Sequence, residues 1–122
     1  MPRDKRRPEQ LLPLTPAVFH ILVALADQDR HGYAISQEVL RRTDGAVRMG
    51  PGTLYGTIKR LLADGLIDET VERPDPELDD ERRRYYRLTS FGRQVAKSEA
   101  RRLERLVADA RAKRLLASPG RD

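Results

Sequence analysis

Gly52, Thr53, Tyr55, Gly56, Lys59 and Arg60 are the residues whose types and spacing promise chemistry, and that chemistry is recognition of a polyanion. They surround an apolar stripe, Leu54, Ile58, Leu61 and Leu62, whose spacing i, i+4, i+7, i+8 predicts a helix. Opposite the stripe lie Gly52, Gly56 and Ala63, with Thr53, Tyr55, Lys59 and Arg60 on the flanks. Gly inside a helix costs about 1 kcal/mol relative to Ala, so Gly56 needs a compensating reason. A small outer face lets the backbone approach the base-pair floor of a DNA groove. There Thr53 can meet a base or its methyl, Tyr55 a phosphate, and Lys59 and Arg60 reach sideways. The alternative is an ordinary solvated face that tolerates its Gly.

A basic strand follows. Arg82, Arg83 and Arg84 enter it and Arg87 extends its edge, which suits a wing touching the DNA backbone or minor groove. Just before them stand Asp75, Glu77, Asp79, Asp80 and Glu81. Acids repel phosphate, so neutralising this loop is the competing role for the Arg cluster. Both roles coexist if the loop tip bends away from the duplex and only the strand base touches it.

These residues need elements to hold them. The third helix begins at Pro51 and is closed by Gly65 as a left-handed cap. Leu66 to Arg73 reads as a strand with Ile67 and Val71 on one face. Pro74 to Glu81 reads as a loop, and Arg82 to Leu88 as the partner strand with Tyr86 and Leu88 inward. Upstream, Thr15 and Pro16 are an N-cap and a first helical residue. That first helix runs to about Asp27 with Val18, Ile21, Leu22 and Leu25 on one face. Phe19, Val23 and Ala26 make a second apolar face that a small monomer does not need. Asp27 to Arg30 is a polar turn, His31 caps or orients the turn before Gly32, and the second helix spans Tyr33 to about Arg42, with Ile35 and Val39 inward.

The last helix is capped by Thr89 and continues to about Leu116. Ala96, Ala100, Leu103, Val107 and Ala110 follow a 4-3-4-3 spacing, and Leu106 broadens the stripe. At 1.5 Å per residue such a helix reaches ~40 Å, longer than a compact small domain covers. Burial against a second copy is expected, with Phe19 and Val23 completing the seam; folding back onto its own domain is the alternative.

The expected fold is mainly α with a two-stranded β wing. A flexible basic arm occupies residues 1–13, a winged helix-turn-helix 14–88, a dimerisation helix 89–117 and a tail 118–122. Arg3, Lys5, Arg6 and Arg7 of the arm either touch a phosphate backbone or stay solvated.

Composition narrows the function. The 122 residues make one domain, with 24 Lys+Arg against 19 Asp+Glu and a net charge of +5, compatible with nucleic acid. Apart from Lys5, Lys59, Lys97 and Lys113 the bases are all Arg, whose planar fork suits phosphate and guanine edges. A GC-rich genome would give the same bias. There is no Cys, and His20 and His31 alone cannot build a metal centre, so no metal and no cofactor are expected. His20 reads as a partly exposed interface residue. The longest apolar stretch, Ala17 to Ala26, contains His20 and is too short to span a bilayer. No signal-peptide core follows the charged N-terminus, so a soluble, cytoplasmic protein is expected. Ser36, Ser90, Ser98 and Ser118 have no neighbouring His or Gly-rich elbow, and no phosphate-loop motif is present, which disfavours an enzyme.

Five motifs in register, His31-Gly32-Tyr33-Ala34-Ile35, Gly52-Thr53-Leu54-Tyr55, Arg60-Leu61, Asp64-Gly65-Leu66-Ile67 and Arg84-Tyr85-Tyr86-Arg87-Leu88-Thr89, with Gly92, resemble the PadR family of transcriptional regulators. The resemblance covers about Leu14 to Arg93. It implies a winged-helix homodimer that represses transcription, with dimerisation through the last and first helices. The single helix after the wing resembles the shorter PadR subgroup. Family DNA contacts carry over to Tyr33, to Thr53, Tyr55 and Lys59, and to the wing Arg residues. Two departures stand out. Many relatives have Pro where this chain has Gly56. Some short members stack flat aromatic drugs on a Trp of the last helix, and this chain has no Trp.

The expected partners are therefore double-stranded DNA bearing an inverted repeat, a second copy of the chain, and a small aromatic effector bound between the first and last helices. The two third helices would lie about one helical turn, ~34 Å, apart in successive major grooves. A winged-helix protein-interaction module without DNA binding is the alternative, favoured by the acidic loop.

Overall fold

The computed structural model describes residues 6–71 and 84–117. Arg3, Lys5, Arg82, Arg83, the acidic loop tip and the tail lie outside the described residues. Four α-helices carry the fold: α1 (Pro16–Ala24), α2 (Gly32–Arg42), α3 (Pro51–Ala63) and α4 (Ser90–Ala112). A small antiparallel sheet joins them, with strands β1 (Arg30–His31), β2 (Ile67–Val71) and β3 (Arg84–Leu88) in the order β1-β3-β2.

Local chemistry sets most helix ends. The Thr15 hydroxyl accepts the Val18 N–H at 3.2 Å, His31 Nδ1 accepts the Ala34 N–H at 3.2 Å, and the Thr89 hydroxyl accepts the Gly92 N–H at 2.9 Å. Each satisfies one of the orphan donors of a first turn. α3 ends on Gly65, whose φ of +74° suits Gly. Two ends fall short of the sequence pattern. α1 stops at Ala24 because Arg30 Nε takes the Ala24 carbonyl at 2.8 Å and the chain turns there into β1. α4 stops at Ala112, after which Arg114 adopts a φ of +67°.

The sheet is one strand wider than a two-stranded wing. Arg30 pairs with Tyr86 and His31 with Tyr85 across β1 and β3. Two residues inside a polar turn carry no strand period to read, and only the exposed edge of β3 makes them a strand. Across β2 and β3, Ile67 faces Leu88, Asp68 faces Arg87 and Glu69 faces Tyr86.

The core lies where the helical stripes meet. Val18, Ile21, Leu22 and Leu25 pack with Ile35, Val39, Leu54, Ile58, Leu61, Leu66, Ile67, Tyr86 and Val95. α4 contributes only its first half: Gly92, Val95, Ser98 and Glu99 are buried, and nothing beyond them is.

The N-terminal segment departs from a free arm over its described part. Pro8–Leu11 forms a single 3-10 turn beside α4, and Leu11, Leu12 and Leu14 rest against the core. The Arg6 guanidinium donates to the Asp64 carbonyl and lies 5.0 Å from the centre of the Phe91 ring. Leu side chains among the Pro and charged residues supply the apolar area that draws this segment onto the domain.

Candidate nucleic-acid interface

α3 is held by its apolar stripe. Leu54, Ile58 and Leu61 are buried, and the opposite side faces solvent. Gly52, Thr53, Tyr55, Gly56, Lys59 and Arg60 are all exposed, as is Tyr33 at the start of α2. At about 100° per residue, Gly52, Gly56, Lys59 and Ala63 run down the middle of this side. Tyr55 lies on one edge, and Thr53 and Arg60 on the other. The two edges meet different neighbours. Tyr55 borders a groove against α2, whereas Arg60 lines a shallow hollow with Leu11, Pro13, Leu14 and Asp64. α3 contains no acidic residue, so its outer face carries only the charges of Lys59 and Arg60.

The glycines separate into those the fold needs and those it does not. A Cβ on Gly32 would lie 2.6 Å from the Tyr55 hydroxyl, so the ring rests directly on that backbone and is seated at the α2–α3 junction. A Cβ on Gly52 or Gly56 would meet nothing. No packing inside the subunit offsets the helix cost of Gly56.

The wing strand divides its cations. Arg84 Nη1 sits 2.6 Å from Glu69 Oε2, on the face of the sheet that carries Tyr86, so its charge is already partnered. Arg87 is exposed on the other face, opposite Asp68. The structure thus brings Tyr33 and Tyr55 together and gives Arg84 a carboxylate partner.

On the proposed seam, Phe19, Val23, Ala96, Leu103 and Ala110 are half-buried within this chain, and Ala100, Leu106 and Val107 are exposed. Ala96 also leans on the core. Leu115 and Leu116, beyond α4, are exposed as well. His20 contacts Arg42, whose Nη2 donates to the His20 carbonyl at 3.2 Å. Burial and then the Arg42 charge hold the imidazole below its usual range. Among the described residues no three His, Cys, Asp or Glu gather as metal ligands, and no helix is long and apolar enough to cross a membrane.

The sequence pattern missed Ser36, Gln37 and Arg48, which line the groove beside Tyr55. Its one legible signal was the alternation Val47-Arg48-Met49, in which the two apolar residues turn inward and leave Arg48 exposed.

A capped α2, a turn, an outward-facing α3 and a following antiparallel strand pair make this a winged helix-turn-helix protein. The model of the transcriptional regulator PadR-like family matches residues 21–98. The chain belongs to that family, whose members are transcriptional regulators rather than enzymes. It is 39% identical over 93 residues to the transcriptional regulator Rv3488 of Mycobacterium tuberculosis, covering 75% of this chain and 78% of that one. A transcriptional regulator structure from Clostridium thermocellum superposes with a TM-score of 0.66 at 29% identity, over 80% of this chain and 87% of the other. The fold is also that of Bacillus subtilis PadR, solved in complex with operator DNA, at a TM-score of 0.62 and 20% identity. That match covers 70% of this chain and 47% of the other.

Proposed function

We propose that the protein is a homodimeric, cytoplasmic, sequence-specific DNA-binding repressor, relieved by a small-molecule effector bound between α1 and α4. One observation carries the DNA-binding part: the outer face of α3 is glycine-lined without any internal packing reason, bears Lys59 at its middle and Arg60 at its edge, and is free of acids. A surface of that kind is suited to close approach by base pairs. The operator complex of the Bacillus subtilis relative supports the same reading. α3 enters the major groove, Thr53 reads a base edge, and Tyr55, Lys59, Tyr33 and Arg87 of the wing hold phosphates. The effector acts through differential affinity for two dimer geometries.

Two expected results test the proposal. Tyr55→Ala and Lys59→Ala each weaken binding to operator fragments, recovered from the protein's own genome, by roughly tenfold in a mobility shift. Their sedimentation is unchanged. Unaltered affinity removes these residues from the contact. Leu103→Glu places a charge in the α4 stripe and yields monomers by sedimentation; a persisting dimer takes α4 out of the interface.

The Arg84–Glu69 pair favours a second reading, a winged-helix module that binds protein instead. Affinity for random duplex that rises steeply as salt falls rejects it, and no affinity at any salt supports it.

A further inference from the structure

Between α2 and the start of α3 runs a groove of about 190 Å³ lined by Tyr33, Ser36, Gln37, Arg48 and Tyr55, with Leu40, Met49, Pro51 and Leu54 as its apolar lining. Two phenols, an amide and a guanidinium offer it hydrogen-bond donors, whereas the Ser36 hydroxyl already donates to the Tyr33 carbonyl at 2.8 Å. No carboxylate lines it. Arg48 projects outward because Val47 and Met49 on either side rest against the core. Arg30, Arg42, Arg84 and Arg102 each have a carboxylate partner, whereas Arg48 has none among the described residues. The groove therefore holds a positive charge beside several donors and no anion to balance them. Tyr55, seated on Gly32, forms its wall on the side of α3, so it continues the proposed reading surface.

We infer that this groove seats a backbone phosphate of the duplex, with Arg48 as the cation that holds it and Gln37 as the supporting donor. The inference rests on the DNA-binding reading above and deepens it. While α3 lies in the major groove, Arg48 grips the strand on the α2 side. A phosphate contact fixes register and orientation without reading sequence. Arg48 thus acts as a positioning residue, equally on operator and on random duplex.

The test is fluorescence anisotropy of the full chain with a recovered operator fragment and with a random-sequence duplex, between about 50 and 200 mM salt. Arg48→Ala weakens both complexes by the same factor, about tenfold, and keeps the ratio between them. It lowers the slope of log affinity against log salt by about 0.9 per phosphate, or about 1.8 for a dimer. Arg48→Lys restores most of the slope, because a point charge still displaces counterions. Arg105→Ala, which removes an exposed charge from α4, changes neither affinity nor slope. An unchanged slope in Arg48→Ala, with Tyr55→Ala still impaired, overturns this assignment and leaves the DNA-binding reading standing. A changed operator-to-random ratio also overturns it, since that marks a base contact. Equal loss of affinity when inorganic phosphate replaces chloride at matched ionic strength in wild type and Arg48→Ala assigns the site elsewhere. If the wild type shows no salt-dependent affinity for any duplex, the parent reading fails and this one falls with it.

Discussion

Gly92→Ala is expected to lower the melting temperature by more than about 10 °C, or to prevent folding. Gly92 stands in the first turn of α4, where that helix crosses the chain leaving α3. A Cβ at this position would lie 1.9 Å from the Leu66 carbonyl oxygen, 2.8 Å from its carbon and 3.2 Å from its Cα. These are backbone atoms and cannot swing aside. The Leu66 carbonyl accepts the Thr89 N–H at 3.1 Å, and the Thr89 hydroxyl donates to the Gly65 carbonyl at 2.7 Å, so the corner is tied from both sides. Relief requires the start of α4 to withdraw and take buried Val95 with it. Overpacking of this kind costs on the order of 3 kcal/mol or more, against a total stability of about 5–15 kcal/mol. Gly56→Ala is the matched comparison. Its Cβ meets nothing, so it stabilises by up to about 1 kcal/mol, while adding bulk to the face proposed to meet DNA. Thermal melts followed by circular dichroism check both. A melting point for Gly92→Ala near that of the wild type would mean that α4 does not cross at Leu66.

Glu99→Ala is expected to cost about 2 kcal/mol at neutral pH and to loosen the N-terminal segment. The Glu99 carboxylate is buried at 1% exposure. It accepts from Arg102 Nε at 2.5 Å and Nη2 at 3.0 Å, and from the Leu14 N–H at 2.9 Å. Removing it strands the Leu14 donor, although half-exposed Arg102 regains water, which keeps the cost below that of a fully buried pair. The Arg102 hydrogen bonds hold the carboxyl below its ordinary range; burial opposes this and the Leu14 N–H assists it. Because the folded value is the lower one, the stabilisation is complete above the ordinary Glu value of about 4.3. It is lost as pH falls from there through the folded value. Urea midpoints at pH 7 and pH 3 check this. The difference between wild type and Glu99→Gln should shrink on acidification, and a constant difference would remove the ionised carboxylate from the account.

The legible parts of this chain are those in which neighbours in sequence do the work. Thr15, His31 and Thr89 cap helices through their own first turns, and Gly65 closes α3 through its own φ. The stripes of α1, α2 and α3 recur every three or four residues, so their buried faces follow from spacing. The cationic, small-faced side of α3 is the remainder of the same helix and was legible for the same reason. Arg48 was harder to find, because its importance depends on the wall that Tyr55 and α2 build beside it.

Sequence alone determined that four helices form, the buried stripes of α1, α2 and α3, the caps at Thr15, His31 and Thr89 and the sign of the charge on α3, since each depends on interactions within one or two turns. Tertiary structure decided that Arg30–His31 becomes a strand, that Leu11, Leu12 and Leu14 settle on the core, that Arg84 is spent on Glu69, and that Gly32 seats Tyr55. In most of these the partners stand far apart in the chain, and only the packed core brings them within contact, so no local pattern records the meeting.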